Sequence, residues 1–192
     1  MIFKDERLEM AVKMALGKKR EEKISLEELE KIEKLNANCF LIEDLSGIEN
    51  CYRLKRLYLM ANRIRDLKPL SYLLNLEELA LACNEIEDIT ALSSLYNLKS
   101  LILAYNQIQD IHPLSSLSKL EVIWLDGNKI RDITPLSSLL SLKHVYLAFT
   151  LIETIEPLIF LPKLQVLDIR KTPVARKLKR APRNFLGFRL IL

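Results

Sequence analysis

Leucine and isoleucine recur along the chain in one fixed pattern, Leu-x-x-Leu-x-Leu-x-x-Asn-x-Ile. The pattern runs from Leu54 to Ile64 and begins again at Leu76, Leu98 and Leu120, so its period is 22 residues. Weaker copies begin at Ile32, Leu142 and Leu164. The Leu-x-Leu portion alternates with the period of a half-buried strand. Each copy therefore predicts one short β-strand whose leucines point inward.

A single coil of this size cannot enclose its own apolar face, so successive coils must stack around one continuous core. The repeat is of the leucine-rich type. We therefore predict an α/β fold: a right-handed leucine-rich repeat solenoid with a parallel concave β-sheet, short turns or 3₁₀ pieces on the convex side, and a helical N-terminal cap. The predicted limits are 1–31 for the cap, 32–172 for the repeats and 173–192 for a basic C-terminal cap, all in one structural domain.

Polar residues recur with the same period. An asparagine follows each complete strand, and a short amide there can bond the backbone of the bend. These asparagines are Asn62, Asn84, Asn106 and Asn128. Thr150 and Thr172 replace them in later coils, which we expect to be less regular. The aspartates Asp66, Asp88, Asp110 and Asp132 also appear once per coil, which favours turn capping over metal binding.

The N-terminal residues predict a cap of two short helices. Residues 5–16 place apolar side chains on one helical face and end at Gly17. Ser25 and Glu28 form a capping box, with Ile24 and Leu29 at the positions of a hydrophobic staple. Two helices at this place would seal the first coil and cover its unpaired edge.

Length, composition and cysteine content restrict the class of protein. The chain has 192 residues, 49% of them hydrophobic, and a formal net charge of +4, enough for one elongated domain with a substantial core. No apolar run is long enough to span a bilayer, and the charged first residues do not resemble a signal peptide. Cys39, Cys51 and Cys83 are odd in number and match no zinc spacing. We expect reduced thiols and a cytoplasmic protein.

The N-terminal cap and most of the coils resemble the bacterial internalin-type leucine-rich repeat proteins. The resemblance is carried by Ile2-Phe3-Lys4-Asp5 through Leu16-Gly17-Lys18, by the Ile24-Ser25 entry, and by Gly47-Ile48-Glu49-Asn50 before the Asn-x-Ile-x-Asp coils. It extends through most of the coils, to about Pro173. Members of this family typically bind proteins through the concave face, so the resemblance implies the same here. The family's export signal, immunoglobulin-like domain and wall anchor are not expected in this chain.

The outward positions of the predicted strands gather aromatic residues on neighbouring coils, beside a shallow hollow at Ala80, Ala82 and Ala104. Exposed aromatic clusters mark binding sites, and Trp and Tyr are favoured anchors at interfaces. The candidate partner contacts on the concave face are Tyr58, Ile102, Tyr105, Trp124, His144, Tyr146 and Phe149. The alternative is that some rings cover one another or fold under the C-terminal segment. We expect a monomer that binds a protein partner whose identity the sequence does not indicate.

From Ile169 onward the chain has eight basic residues and no acidic one. This segment could be a solvated end cap, could bind an acidic protein, or could bind nucleic acid or an anionic membrane. The candidate polyanion contacts are Arg176, Lys177, Lys179 and Arg180. Catalysis has little support. His112 precedes Pro113 at a turn position where other coils have Thr or Lys, His144 has no serine or cysteine predicted beside it as a nucleophile, and no glycine-rich phosphate loop is present. We expect no enzymatic activity, no metal and no cofactor.

Overall fold

The computed structural model describes residues 2–178 and 187–192. Within them, eight three-residue strands form one sheet in chain order, and every neighbouring pair is parallel. The strands are β1 (Lys34–Asn36), β2 (Arg56–Tyr58), β3 (Glu78–Ala80), β4 (Ser100–Ile102), β5 (Val122–Trp124), β6 (His144–Tyr146), β7 (Val166–Asp168) and β8 (Arg189–Ile191). Leu57 lies beside Leu79, and Leu79 beside Leu101. The 22-residue period is therefore the register of the sheet, and the predicted solenoid is confirmed.

Short 3₁₀ helices return the chain from one strand to the next. They are Ile48–Asn50, Lys68–Tyr72, Thr90–Ser94, His112–Ser116, Thr134–Ser138 and Glu156–Leu158. Asp66 precedes one of them, and its Oδ1 accepts a hydrogen bond from the Lys68 N–H at 2.9 Å. The equivalent bonds to Asp88, Asp110 and Asp132 each measure 2.8 Å. The aspartates thus cap turns, as predicted.

The core is one continuous column of aliphatic side chains between the strands and the 3₁₀ helices. It extends from Phe3 in the N-terminal segment to Ala175 beyond β7. The central strand residues are almost inaccessible to solvent: Leu57, Leu79, Leu101, Ile123, Val145 and Leu167. Each such side chain contributes roughly 1.5–3 kcal/mol by leaving water. Stacking of coils is therefore the main source of stability, since the strands are only three residues long.

The asparagine column fastens each coil to the one before it. The Nδ2 of Asn84 donates to the carbonyls of Leu59 and Leu81 at 2.9 and 3.0 Å. Its Oδ1 accepts from the Ile64 N–H at 3.0 Å. Thr150 is equally buried, but its Oγ1 donates only to the Leu147 carbonyl, at 2.6 Å. The last 3₁₀ helix is also shorter, at three residues against five before it, as expected for less regular coils.

The N-terminal cap consists of α1 (Glu6–Ala15) and α2 (Leu26–Leu29). Asp5 has two roles: Oδ1 accepts from the Arg7 N–H at the start of α1, and Oδ2 accepts from the Glu43 N–H at 2.8 Å. One carboxylate therefore begins the helix and holds it on the first coil. The predicted capping box is present, with Ser25 and Glu28 each accepting from the other's backbone N–H.

The C-terminal segment contains a short helix, α3 (Pro173–Leu178), and the last strand, β8. The sequence predicts only that the apolar end of the chain covers the core. The structure adds a strand, in which Leu190 lies beside Leu167 of β7. The strand is absent from the prediction because its spacing from β7 is 23 residues and not the 22 of the repeat.

Candidate protein-interaction surface

The solvent side of the parallel sheet, here named the sheet face, brings four of the seven predicted contact residues into one row. The register places Tyr58 beside Ala80, Ala80 beside Ile102, Ile102 beside Trp124, and Trp124 beside Tyr146. Each residue alternates with an inward side chain of its strand, as Trp124 does between the buried Ile123 and Leu125. The row faces outward because the core side is already filled.

Trp124 and Tyr146 form a parallel stack. Their ring centroids are 4.9 Å apart and their planes differ by 2°, which matches the usual distance between neighbouring strands. Both side chains are half-buried. A stacked aromatic pair contributes about 0.5–1.5 kcal/mol beyond the area that it buries. The stack is therefore a rigid feature that is present before any partner binds.

Tyr105 and Phe149 lie three residues after the ends of β4 and β6. Their backbones are in the left-handed region, with φ of 56° and 57°. The same position in the coil between them is Gly127, with φ of 67°. A Cβ built on Gly127 would lie 2.5 Å from Cδ1 of Tyr105. The Tyr105 ring therefore lies over the Gly127 backbone, where glycine leaves room for it. Both aromatic side chains are more than half exposed.

Tyr58 is separated from this group. Its hydroxyl donates to Glu78 Oε2 at 2.6 Å, and Lys34 Nζ lies 5.6 Å from the centre of its ring. The hydrogen bond to Glu78 is the main reason that the pKa of Tyr58 is raised. Three strand intervals, about 14 Å, separate β2 from β5, with the buried Ala80 between them. Tyr58 therefore belongs to a second, more polar part of the sheet face.

His144 is half-buried at the margin of the row, beside Val122 and Val166. Its Nε2 lies 3.3 Å from Gln165 Oε1. Throughout residues 2–178 and 187–192, no three or more His, Cys, Asp or Glu side chains are arranged to hold a metal ion. His144 therefore lies beside the aromatic row and not within it.

Three charged residues beside the aromatic row, Asp126, Asp168 and Arg170, are absent from the predicted contacts. Asp168 is 2% exposed, and Arg170 covers it, with Nε 3.0 Å from both carboxylate oxygens and Nη2 2.6 Å from Oδ2. Asp126 is half-buried, and its Oδ1 accepts from the Ala148 N–H at 2.9 Å. Burial raises the pKa of Asp126 and the charge of Asp168 adds to this effect, while the Ala148 N–H and the guanidinium of Arg170 oppose it. The sequence contained a signal for Asp126, because the equivalent positions of three neighbouring coils are all alanine: Ala82, Ala104 and Ala148.

A second apolar strip lies in and just after the first three 3₁₀ helices. Its members are exposed large side chains: Tyr52, Tyr72, Leu74 and Tyr96. The strip is periodic in sequence, since positions 52, 74 and 96 are one repeat apart. These residues lie outside the strands of the sheet and supply a comparison surface of similar chemistry.

Two of the four predicted polyanion contacts fall within the described residues. Arg176 and Lys177 are exposed on α3, and Lys177 Nζ lies 3.4 Å from Glu153 Oε2. Lys179 and Arg180 lie outside the described residues. The polyanion alternative therefore stays a prediction from the sequence.

These features define a leucine-rich repeat protein. The family model described as Leucine Rich repeats (2 copies) matches residues 52–94 and 96–138. Comparison with the curated proteins finds no match. No helix in the described part of the chain is both long and apolar enough to cross a bilayer.

Solved structures narrow the class to one family. An internalin (inlF) from Listeria monocytogenes is 32% identical, with a TM-score of 0.86 over 89% of this chain and 51% of that chain. This chain thus spans about half the length of that relative. Internalin C2 from the same organism is 30% identical, with a TM-score of 0.70 over 98% of this chain and 94% of that one. A leucine-rich repeat protein from Leptospira interrogans, 23% identical with a TM-score of 0.66, shares the fold. The chain belongs to the internalin-type leucine-rich repeat proteins.

Proposed function

We propose that this protein is a non-enzymatic binding module that recognises a protein partner on its concave sheet face. The contact is made by an aromatic patch, defined as Ile102, Tyr105, Trp124, Tyr146 and Phe149, with His144 at its margin. The Trp124–Tyr146 stack carries the proposal. Proteins with this fold generally act in protein–protein interaction, which supports it.

The outward position of the stack is the reason that we assign it to partner binding and not to the stability of the core. The inward positions beside it are already filled by Ile123, Leu125 and Val145. Trp and Tyr contribute large contact areas with few rotatable bonds, and a stack that is already ordered loses little further entropy on binding. A partner would therefore gain most of the contact energy at these two rings.

The sheet face is large enough for an ordinary interface. The row from Tyr58 to Asp168 crosses six strands, a distance of about 24 Å. A standard interface buries about 800 Å² on each partner, which fits a patch of this width. Tyr58 then provides a contact at the edge, with its hydroxyl already oriented by Glu78.

The test is affinity capture with the double substitution Trp124→Ala and Tyr146→Ala. The immobilised protein should retain its partner from a lysate of the source organism, and the double variant should lose it. A matched control removes two rings of the second apolar strip, Tyr72→Ala with Tyr96→Ala, and should capture normally. Circular dichroism and urea unfolding must show that both variants are folded. Equal capture by the wild type and the Trp124/Tyr146 variant would exclude this surface.

The thiols support a further part of the proposal, that the module works in a reducing compartment. All three cysteines are free, with Cys51 buried and Cys39 and Cys83 exposed. Exposed unpaired thiols are uncommon in oxidising environments, where structural disulfides are the norm. A cytoplasmic location and a monomeric state remain predictions from the sequence.

A further inference from the structure

The carboxylate of Asp126 lies on the same coil as Trp124, next to the aromatic stack. Two residues after Trp124, it occupies the next outward position of the same coil. The Ala148 N–H of the following coil fixes its Oδ1 at 2.9 Å. On the two neighbouring coils the equivalent residues are Ala104 and Ala148, both buried. The carboxylate is therefore held in a fixed position, with no long side chain beside it in its own column.

The charge of Asp126 is only partly offset within the sheet face. The guanidinium of Arg170 acts on Asp126 from beyond ion-pair distance and lowers its pKa, but that guanidinium is already bonded to Asp168. Asp168 and Arg170 neutralise each other through three contacts of 2.6–3.0 Å. In the described ranges 2–178 and 187–192, no Lys, Arg or His side chain forms an ion pair with Asp126 at 4.0 Å or less. Asp126 and Asp168 carry two negative charges and Arg170 carries one positive charge, so a net charge of one negative unit lies beside the aromatic stack.

A partner that covers this place must provide a counter-charge. Removing a carboxylate from water without a cation is costly, and truncation of one partner in a buried charge pair destabilises a complex strongly. A cation is also attracted to the face of Trp or Tyr within about 6 Å of the ring centre. A guanidinium combines both interactions, because it stacks on aromatic rings and pairs with a carboxylate through two hydrogen bonds.

Resting on the proposed function, we infer that the partner anchors itself here with a basic side chain, arginine in preference to lysine. Its charged head lies on Asp126, and its flat or aliphatic part lies against the Trp124–Tyr146 stack. The burial that raises the pKa of Asp126 is consistent with this role, since a carboxylate short of compensating charge gains most from an incoming cation. An apolar side chain would leave Asp126 unpaired, and an acidic one would be repelled.

The experiment uses a phage-displayed library of random peptides, selected on the full chain and counter-selected on the Trp124→Ala/Tyr146→Ala variant. Counter-selection retains only peptides that need the stack. The retained peptides are synthesised and titrated against the fluorescence of Trp124, the single tryptophan of the chain. The inference predicts that these peptides share an arginine or lysine whose replacement by norleucine weakens binding about tenfold or more.

Asp126→Asn tests the acceptor directly. The amide is isosteric and keeps an oxygen for the Ala148 N–H, so the coil should remain folded. Peptides selected on the wild type should bind this variant about tenfold or more weakly, and the norleucine peptide should bind both proteins equally. Glu87→Gln is the matched control, because it removes one exposed carboxylate away from the stack and should leave peptide affinity unchanged.

The outcomes separate the two proposals. Peptides that depend on the stack but contain no shared basic residue, or that bind Asp126→Asn as tightly as the wild type, overturn the basic anchor and leave the aromatic patch standing. A selection in which no peptide depends on Trp124 and Tyr146 overturns the aromatic patch and the basic anchor together.

Discussion

The asparagine column offers a quantitative test, because the chain itself contains two versions of the same position. Asn128 and Thr150 occupy it in successive coils, and both are buried. Exchanging them, as Asn128→Thr and Thr150→Asn, changes the hydrogen bonds of the bend while the aliphatic core stays the same. The two substitutions should act in opposite directions.

The magnitude follows from the bonds at each place. Asn128 accepts from the Ile108 N–H at 3.1 Å and donates to the carbonyls of Leu103 and Leu125 at 3.0 Å. A threonine at position 128 would donate only to the Leu125 carbonyl, as Thr150 donates only to the Leu147 carbonyl. Asn128→Thr then loses one bond worth about 1 kcal/mol and leaves a buried N–H unpaired at about 1–3 kcal/mol. We expect a total loss of about 2–4 kcal/mol.

The reverse substitution, Thr150→Asn, adds the hydrogen-bond acceptor that Thr150 lacks. An amide at position 150 would accept from the Ile130 N–H, which lies where the Ile108 N–H lies in the coil before. The free energy of unfolding should rise by about 1–2 kcal/mol, after the cost of ordering a longer side chain. Thr150→Ala, which removes only the bond to the Leu147 carbonyl, should lower it by about 1 kcal/mol.

The assay is equilibrium urea unfolding, followed both by Trp124 fluorescence and by far-ultraviolet circular dichroism. Agreement between the two signals establishes one cooperative transition, which repeat proteins do not always show. The account of the asparagine column is refuted if Asn128→Thr costs less than about 0.5 kcal/mol, the usual range of an uninvolved surface change. It is equally refuted if Thr150→Asn destabilises the protein.

Three further predictions concern packing, backbone and thiol chemistry. Leu103→Ala, at a fully buried position, should lower the free energy of unfolding by about 2–5 kcal/mol in the same urea assay; a loss below 1 kcal/mol would contradict a close-packed core. Gly127→Ala should lower the free energy of unfolding by about 1–3 kcal/mol, because the backbone is left-handed and the new Cβ would clash with Tyr105. In a Tyr105→Ala background the part of the loss that is due to the clash should disappear. Equal losses in both backgrounds would show that the Tyr105 ring lies elsewhere. Burial raises the pKa of the Cys51 thiol to about 12. Iodoacetamide at mildly alkaline pH should therefore label only the other two cysteines until urea is added, as mass spectrometry would show. Labelling of all three cysteines in the native protein would contradict this burial.

The repeat made most of the fold predictable, for a physical reason. Each coil uses the same inward positions, so the alignment of Leu57, Leu79 and Leu101 in sequence is also their alignment in space. The N-terminal helices were predictable as well, because Ser25 and Glu28 form a local motif whose bonds are all within four residues. Strand β8 was not, since it pairs with β7 without any copy of the repeat to show it.

The candidate site was predictable only in its outline. Periodicity places Trp124 and Tyr146 on neighbouring strands, but the parallel orientation of their rings depends on side-chain torsions that no period encodes. The same holds for Asp168, which occupies an outward position and is nevertheless buried, because Arg170 folds back over it. Whether an outward residue is exposed depends on the length and charge of the side chains around it.

Because the strands share one register, distances along the sheet face are multiples of one strand interval. Tyr58 and Trp124 are separated by whole coils, so the distance between them can change only in steps of one strand interval, about 4.8 Å. Inserting or deleting one coil between β2 and β4 would move the two ends of the face apart or together by that step and leave the Trp124–Tyr146 contact untouched. A lineage that gains or loses coils could therefore adjust the span of its contact surface without rebuilding the anchor.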